Sequence, residues 1–216
     1  MTASNAESKP IIAVSLSGGG ARAMAFHLGC LRALNKCGLL TDLDVLSCVS
    51  GGSVIGAIYV THDGSFESFE NEVRRTLRRG FVKPSIRIAL TSREGLKAVL
   101  CRLELAVRSL LRLSMAPLSW ISFRLFTLIG LAKEQRMPRS VPRRTASRTT
   151  ILEETFDRFL FHGQELKDIS DRKPKFVAVA TELRTGTAFY FSPEQSGCWR
   201  YGKVNPDRIR IARAVV

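Results

Sequence analysis

Apolar positions in this chain come in short blocks, and glycine ends several of them. Ile11 to Ser17 is a β-rich run that stops at Gly18-Gly19-Gly20. From Ala21 to Cys37 the period changes, with Met24, Leu28, Leu31 and Leu34 at helical spacing and Gly38 as a stop. Val45 to Val49 is a second short run, broken at Ser50-Gly51-Gly52 and followed by an apolar helical stretch, Ser53 to Val60. Strand, glycine turn and helix, given twice, predict an α/β domain built on a parallel or mixed sheet.

Ser65 reads as a helix N-cap, with Glu67 and Glu70 early, Arg78 and Arg79 late, and Gly80 as terminator. That charge order suits the helix dipole. Phe66, Phe69, Val73 and Leu77 would form the buried face of this helix. Leu96 to Leu113 is amphipathic, with Leu96, Val99, Leu103, Val107 and Leu110 on one side and arginines elsewhere. Leu113 to Ala132 is mostly apolar but contains Pro117 and Arg124, and Lys133 to Thr150 reads as a basic, proline-punctuated loop. Ile151 to Phe161 is expected to be helical, Phe176 to Thr181 and Ala188 to Phe191 to be strands, and Ile209 to Val216 to begin another apolar element.

Charge changes the picture, because the net +14 is not spread evenly. Residues 74–148 hold 18 Lys/Arg against three acids, a balance of +15, whereas the other 15 Lys/Arg and 16 Asp/Glu balance to −1. A near-neutral domain thus carries one basic insert, which seeks an anionic partner. The expected organisation is a disordered start (1–10), a core segment (11–80), a basic amphipathic insert or lid (81–150) and a continued core segment (151–216). Five cysteines without C-x-x-C spacing, and a polar start without an apolar run, suggest a reduced intracellular protein with no metal site and no secretory signal.

Two glycine turns carry the candidate chemistry. Gly18-Gly19-Gly20-Ala21-Arg22 joins a strand to a helix, where backbone N–H groups can approach an oxygen closely. Alone it fits a dinucleotide phosphate loop, an oxyanion loop or a plain tight turn. Cys48-Val49-Ser50-Gly51-Gly52 then follows a strand and opens a helix, as a nucleophile elbow does, with Cys48 where the usual pattern has glycine. A dinucleotide site would want an acid at the end of the second strand, but Asp42 and Asp44 fall at its beginning. The nucleotide reading therefore loses.

Ser17-Gly18-Gly19-Gly20-Ala21-Arg22, His27-Leu28-Gly29 and Val49-Ser50-Gly51-Gly52-Ser53 together resemble the patatin-like phospholipase family. The stretch from Val179 to Gly186 is similar to that family's strand and turn before its catalytic aspartate, and Ile211 to Val216 to the helix that follows. The resemblance covers about residues 11–64 and 150–216, outside the insert. Two departures stand out: Ala23 and Cys48 occupy positions where glycine is usual.

The resemblance implies an α/β, three-layer fold with a central, mostly parallel sheet, incomplete at the C-terminus, plus the basic helical insert. It implies a Ser–Asp dyad with Ser50 as nucleophile and an oxyanion hole at Gly18, Gly19, Gly20, Ala21 and Arg22. Cys48, Gly51 and Gly52 would shape the elbow. The aspartate is expected in an Asp-Gly-Gly or Asp-Gly-Ala turn, and neither occurs in the sequence. We therefore expect a chain truncated before it, inactive as given. No cofactor is implied, and the substrate would be a phospholipid or another acyl-ester lipid. The alternative is a non-catalytic, membrane-associated lipid-binding protein of the same fold. His27 is read as a helix-packing residue, His62 and His162 as structural or surface groups, and Thr181 and Gly186 as a strand end and a turn. Arg22 either fixes the loop or meets a phosphate head group.

For residues 81–150 the readings are a solvated lid, attachment to an anionic membrane surface, and a bilayer span over 113–132. Trp120, Phe123 and Phe126 interleaved with arginine favour the surface, while Arg124 and Pro117 oppose a span. No nucleic-acid-binding module is recognised, so no nucleic-acid partner is expected; the expected location is intracellular and cytoplasmic, peripheral at a membrane.

Overall fold

The computed structural model describes residues 10–128 and 148–216, of which residues 94 and 112–128 through their backbone alone. The chain forms two compact units, Met1–Pro84 with Leu152–Val216, and Ser85–Ile151.

The first unit is built on a six-stranded sheet whose spatial order follows the sequence: β1 (Ala13–Leu16), β2 (Val45–Cys48), β3 (Lys175–Glu182), β4 (Thr187–Phe191), β5 (Ser196–Cys198) and β6 (Gly202–Val204). β1, β2 and β3 are parallel, with Leu16 level with Cys48 and Cys48 level with Ala178. β4, β5 and β6 add an antiparallel arm, so the sheet is mixed. That arm exists because the turn after β3 is a tight hairpin. The Glu182 carboxylate accepts from the N–H groups of Arg184 (3.0 Å) and Thr185 (2.8 Å), and Gly186 supplies φ 68°. Thr181 and Gly186 are the strand end and the turn expected of them.

Helix α1 (Gly20–Lys36) links β1 to β2, and α2 (Gly51–Thr61) leaves the end of β2. Leu16, Leu46, Cys48, Phe176 and Ala178 form the buried face of the sheet. Nine of the eleven residues of α2 are buried, so this helix is the centre of the core rather than a surface element. Next comes α3 (Phe66–Arg79), capped by Ser65, whose hydroxyl accepts from the Ser68 N–H at 3.3 Å, and ended by Gly80 at φ 64°. Phe69 and Val73 are buried, and Phe66 and Leu77 pack partly against the same core, which is the face the sequence pattern predicts.

The second unit contains most of α4 (Val82–Thr91) and all of α5 (Arg93–Leu128). Ser92 caps α5, its hydroxyl accepting from the Gly95 N–H at 3.0 Å. In the first unit, α6 (Arg148–Phe156), entered from Leu152 onward, passes into a π-helical turn (Asp157–Phe161), and α7 (Ile211–Val215) closes the described chain. Asp157 is buried and paired with Arg210 at 2.6 Å.

Several expectations need correction. Residues 148–150, read as the end of a loop, belong to α6, because from Arg148 the chain has neither proline nor glycine and runs directly into Ile151 and Leu152. The rest of the expected loop and the disordered start lie outside the described residues except at Pro10. Helix α4 and strands β5 and β6 were not anticipated. Ser196-Gly197-Cys198 has no strand period, and it pairs only because the antiparallel arm presents β4 to it.

Candidate active site

The two glycine turns meet at the carboxyl ends of β1 and β2, the end of a parallel sheet where ligands bind. Ser50 stands between β2 and α2 with φ 52° and ψ −121°. A positive φ in a residue with a Cβ costs on the order of 1–3 kcal/mol and persists only when the surroundings impose it. Among the described residues His162 alone shares that feature. The surroundings here are the first glycine turn. A Cβ on Gly51 would lie 2.3 Å from the Gly20 carbonyl oxygen, and one on Gly52 would lie 2.4 Å from that of Leu16. Both positions demand glycine because backbone lies directly against backbone.

The approach continues to Ser50 itself. A Cβ on Gly18 would stand 3.2 Å from the Ser50 Cβ and 3.8 Å from its Oγ. Ser50 is exposed, while Gly51 and Gly52 beneath it are buried. Helix α1 begins at Gly20 with no side-chain cap and no acid in its first turn. Its leading N–H groups and the positive end of its dipole therefore have no carboxylate or hydroxyl of its own to satisfy them, which suits a developing anion. Gly19 (φ 142°) and Gly20 (φ 61°) make the turn that aims them, and Arg22 is exposed on the first turn of α1.

Cys48 fits where glycine is usual because its side chain points away from the elbow. It is fully buried, and its Sγ occupies the space left by Gly56 on α2, where a Cβ would lie 2.5 Å from the sulfur. Burial pushes the thiol pKa up to about 12, so Cys48 is a neutral core residue. Ala23 is likewise buried and fills the space over Gly19.

His27 is buried, and its Nε2 lies 3.0 Å from the Ser17 carbonyl oxygen. A carbonyl only accepts, so this contact requires the proton on Nε2. His27 ties α1 to the residue that opens the glycine turn, and a nitrogen already donating there is not free to take a proton from Ser50. The sequence suggested packing but not this tether.

Among the described residues no side chain hydrogen-bonds the Ser50 hydroxyl. Asp63, in the Asp63-Gly64 pair, lies beyond the other end of α2, about 16 Å away along an eleven-residue helix, and is paired with Arg172 at 2.7 Å. A different serine does have a histidine beside it. His62 contacts the Ser68 hydroxyl through Nε2 and Glu72 through Nδ1 at 2.9 Å, an arrangement that sequence spacing did not reveal. Ser68 sits in the first turn of α3 and donates to the Ser65 carbonyl at 3.0 Å, so this cluster serves the helix start and has no elbow. A cleft of about 290 Å³ lined by Tyr59, His62, Ser65, Phe69 and Arg172 also belongs to that far end of α2, away from Ser50. The described residues contain no group of three or more His, Cys, Asp or Glu suited to a metal ion.

Comparison with solved structures finds the same fold in human GIVD cytosolic phospholipase A2. Its complex with methyl gamma-linolenyl fluorophosphonate aligns with a TM-score of 0.51 and 20% identity over 95% of this chain and 29% of that one. A second structure of human GIVD cytosolic phospholipase A2 aligns with a TM-score of 0.49, also at 20% identity, over 91% and 24%. This chain thus spans less than a third of the length of those proteins. No curated protein matches it. The family model for patatin-like phospholipase matches residues 14–208, from β1 to the approach to α7. With the elbow, the glycine turn and that match over most of its length, the chain belongs to the patatin-like phospholipase family.

Proposed function

We propose that this chain carries the nucleophile and oxyanion loop of a serine lipid acyl hydrolase. The observation that supports it most is the strained Ser50 pressed against Gly18 and the uncapped start of α1. In this reading Ser50 Oγ attacks the ester carbonyl, and its proton passes to an aspartate. The oxyanion is held by N–H groups in the segment Gly18 to Arg22, each worth about 10²–10³ in rate in comparable sites. Collapse expels the alcohol with that proton, and water then releases the fatty acid from Ser50. The aspartate is the partner that the family resemblance implies. None of the described acids is bonded to Ser50, so the isolated chain is proposed to turn over poorly.

The substrate in this reading is a phospholipid or other acyl-ester lipid, met at an anionic membrane surface inside the cell. The α5 helix supports the membrane part: Leu96, Leu103 and Leu110 are 60–65% exposed, with Arg102 and Arg108 exposed between them. Among the described residues no helix is long and apolar enough to cross a membrane.

A fluorophosphonate probe tests the chemistry on the longest polypeptide the gene encodes. Labelling that disappears in Ser50→Ala supports the hydrolase. A folded protein that never labels favours the second reading, a lipid-binding protein of the same fold, which a Ser50 hydroxyl without a side-chain partner among the described residues would suit.

A further inference from the structure

We infer that the two hairpin tips beside Ser50 are a lipid-docking rim, separate from the basic insert, that seats the candidate active site on an anionic membrane surface. The inference rests on the hydrolase reading for its purpose, though not for its test.

Strand register places the tips. Cys48 and Ala178 share one level of the sheet, and Val179, Tyr190 and Gly197 share the next. β5 is antiparallel to β4, which is antiparallel to β3, so β5 runs in the direction of β2. Ser50 lies two residues beyond Cys48. Trp199 lies two residues beyond Gly197, and Leu183 four beyond Val179. The turns at 183–186 and 199–201 therefore project from the same end of the sheet as Ser50. Three strand spacings, about 14 Å, separate the β5 turn from the elbow strand.

What the tips expose is unusual for turns. Leu183 is 94% exposed, Trp199 78% and Tyr201 56%, and Val49 next to Ser50 is 42% exposed. Turns normally carry small polar residues, and a lone exposed apolar group needs no explanation. Three large ones on two adjacent tips do need one. Each tip also carries an exposed arginine, Arg184 and Arg200, and no acid lies within 183–186 or 199–201. Glu182, the acid that precedes the first tip, is engaged within its own turn, accepting from the Thr185 hydroxyl and the turn N–H groups; those bonds lower its pKa.

Trp and Tyr favour the boundary between head groups and acyl chains, leucine can enter the apolar layer, and arginine pairs with phosphate. That combination fits an anionic lipid surface better than a dry protein interface. The tips are also held in shape. The Glu182 bonds fix one, and the other closes only because Gly197 lacks a Cβ, which would lie 2.3 Å from the Gly202 carbonyl oxygen.

Trp199 is itself the reporter. In a Trp120→Phe background it is the sole tryptophan. The full chain, with its insert, is mixed with phosphatidylcholine vesicles with and without phosphatidylserine, some carrying brominated acyl chains. The expected result is a blue shift and bromine quenching of Trp199 emission on phosphatidylserine vesicles. Leu183→Asp and Trp199→Ala should each weaken partitioning about tenfold with an unchanged circular dichroism spectrum. Ser50→Ala should bind vesicles normally, which separates this inference from the hydrolase reading. Absence of vesicle binding would overturn it. So would binding with Trp199 emission unchanged, meaning attachment through the insert alone. Emission already blue-shifted without vesicles and unaltered by them would mean that protein covers the tips, and would overturn it too.

Discussion

Helices α2 and α5 are both rich in apolar side chains, and the fold treats them in opposite ways. α2 has no charged residue and is buried almost all round, its glycines letting the backbone of β1 and of the α1 turn, and the Cys48 side chain of β2, come into close contact. α5 carries a charge on nearly every turn of its described side chains, and leaves Leu96, Val99, Leu100, Leu103, Val107, Leu110 and Leu111 between 48% and 65% exposed. The difference lies in the polar face rather than in the amount of apolar surface. A helix without charge can be enclosed by protein, whereas burying the arginines of α5 would cost more than its leucines return. The apolar stripe of α5 is therefore available to a partner that can accept leucine and arginine together.

The largest effect should come from the start of α2. In the longest polypeptide the gene encodes, Ser50→Ala should reduce hydrolysis or probe labelling about 10⁴–10⁶-fold while leaving vesicle binding unchanged. Ser68→Ala, which removes the serine that does contact a histidine, should leave labelling intact. If Ser68→Ala abolished it and Ser50→Ala did not, the elbow assignment would fail.

Next comes the close packing around α2. Gly52→Ala puts a methyl 2.4 Å from the Leu16 carbonyl oxygen, and neither side can retreat without moving β1. It should lower stability by about 1–3 kcal/mol, read from the urea midpoint. An alanine tolerated without loss would mean that the turns are farther apart than the structure has them.

Cys48 gives a pH-dependent test of the same packing. Its folded pKa is raised to about 12, so folding favours the thiol. This contribution is complete below the unfolded thiol's pKa, near 9, and is lost as pH climbs from there through about 12. At pH 8 the folded protein should therefore alkylate at exposed Cys37 while Cys48 stays unmodified, as mass spectrometry of the digests can show.

The smallest effect on folding should come from α5. Leu103→Glu should change stability by less than about 0.5 kcal/mol, because the side chain is already 60% exposed. The same variant should weaken salt-sensitive binding to anionic vesicles. A large loss of stability would show that the stripe is covered by protein and would end the contrast with α2.

Which of these features were legible in the sequence depends on how local their cause is. Ser65 capping α3, Gly80 ending it and Gly18 to Gly20 breaking β1 from α1 all act within a few residues, and they stand where the pattern puts them. The strand-to-helix turn at Ser50 was legible for the same reason, since Ser50-Gly51-Gly52 follows an apolar strand and precedes an apolar helix. β5, β6, the Ser17–His27 tether and the His62–Ser68–Glu72 cluster were not, because each depends on partners that only folding brings together.

The order of residues alone determined where the chain turns, which helix faces are apolar, and that a serine sits at a glycine-rich bend, since these follow from backbone sterics and side-chain period over short distances. Tertiary structure decided that the two bends touch, that Cys48 is harmless beneath Ser50, and that β5, one strand beyond β4, runs in the same direction as β3, so that Trp199 and Leu183 are exposed at the same end as Ser50. Those outcomes require strands distant in sequence to pair in one register, and no local propensity encodes that register.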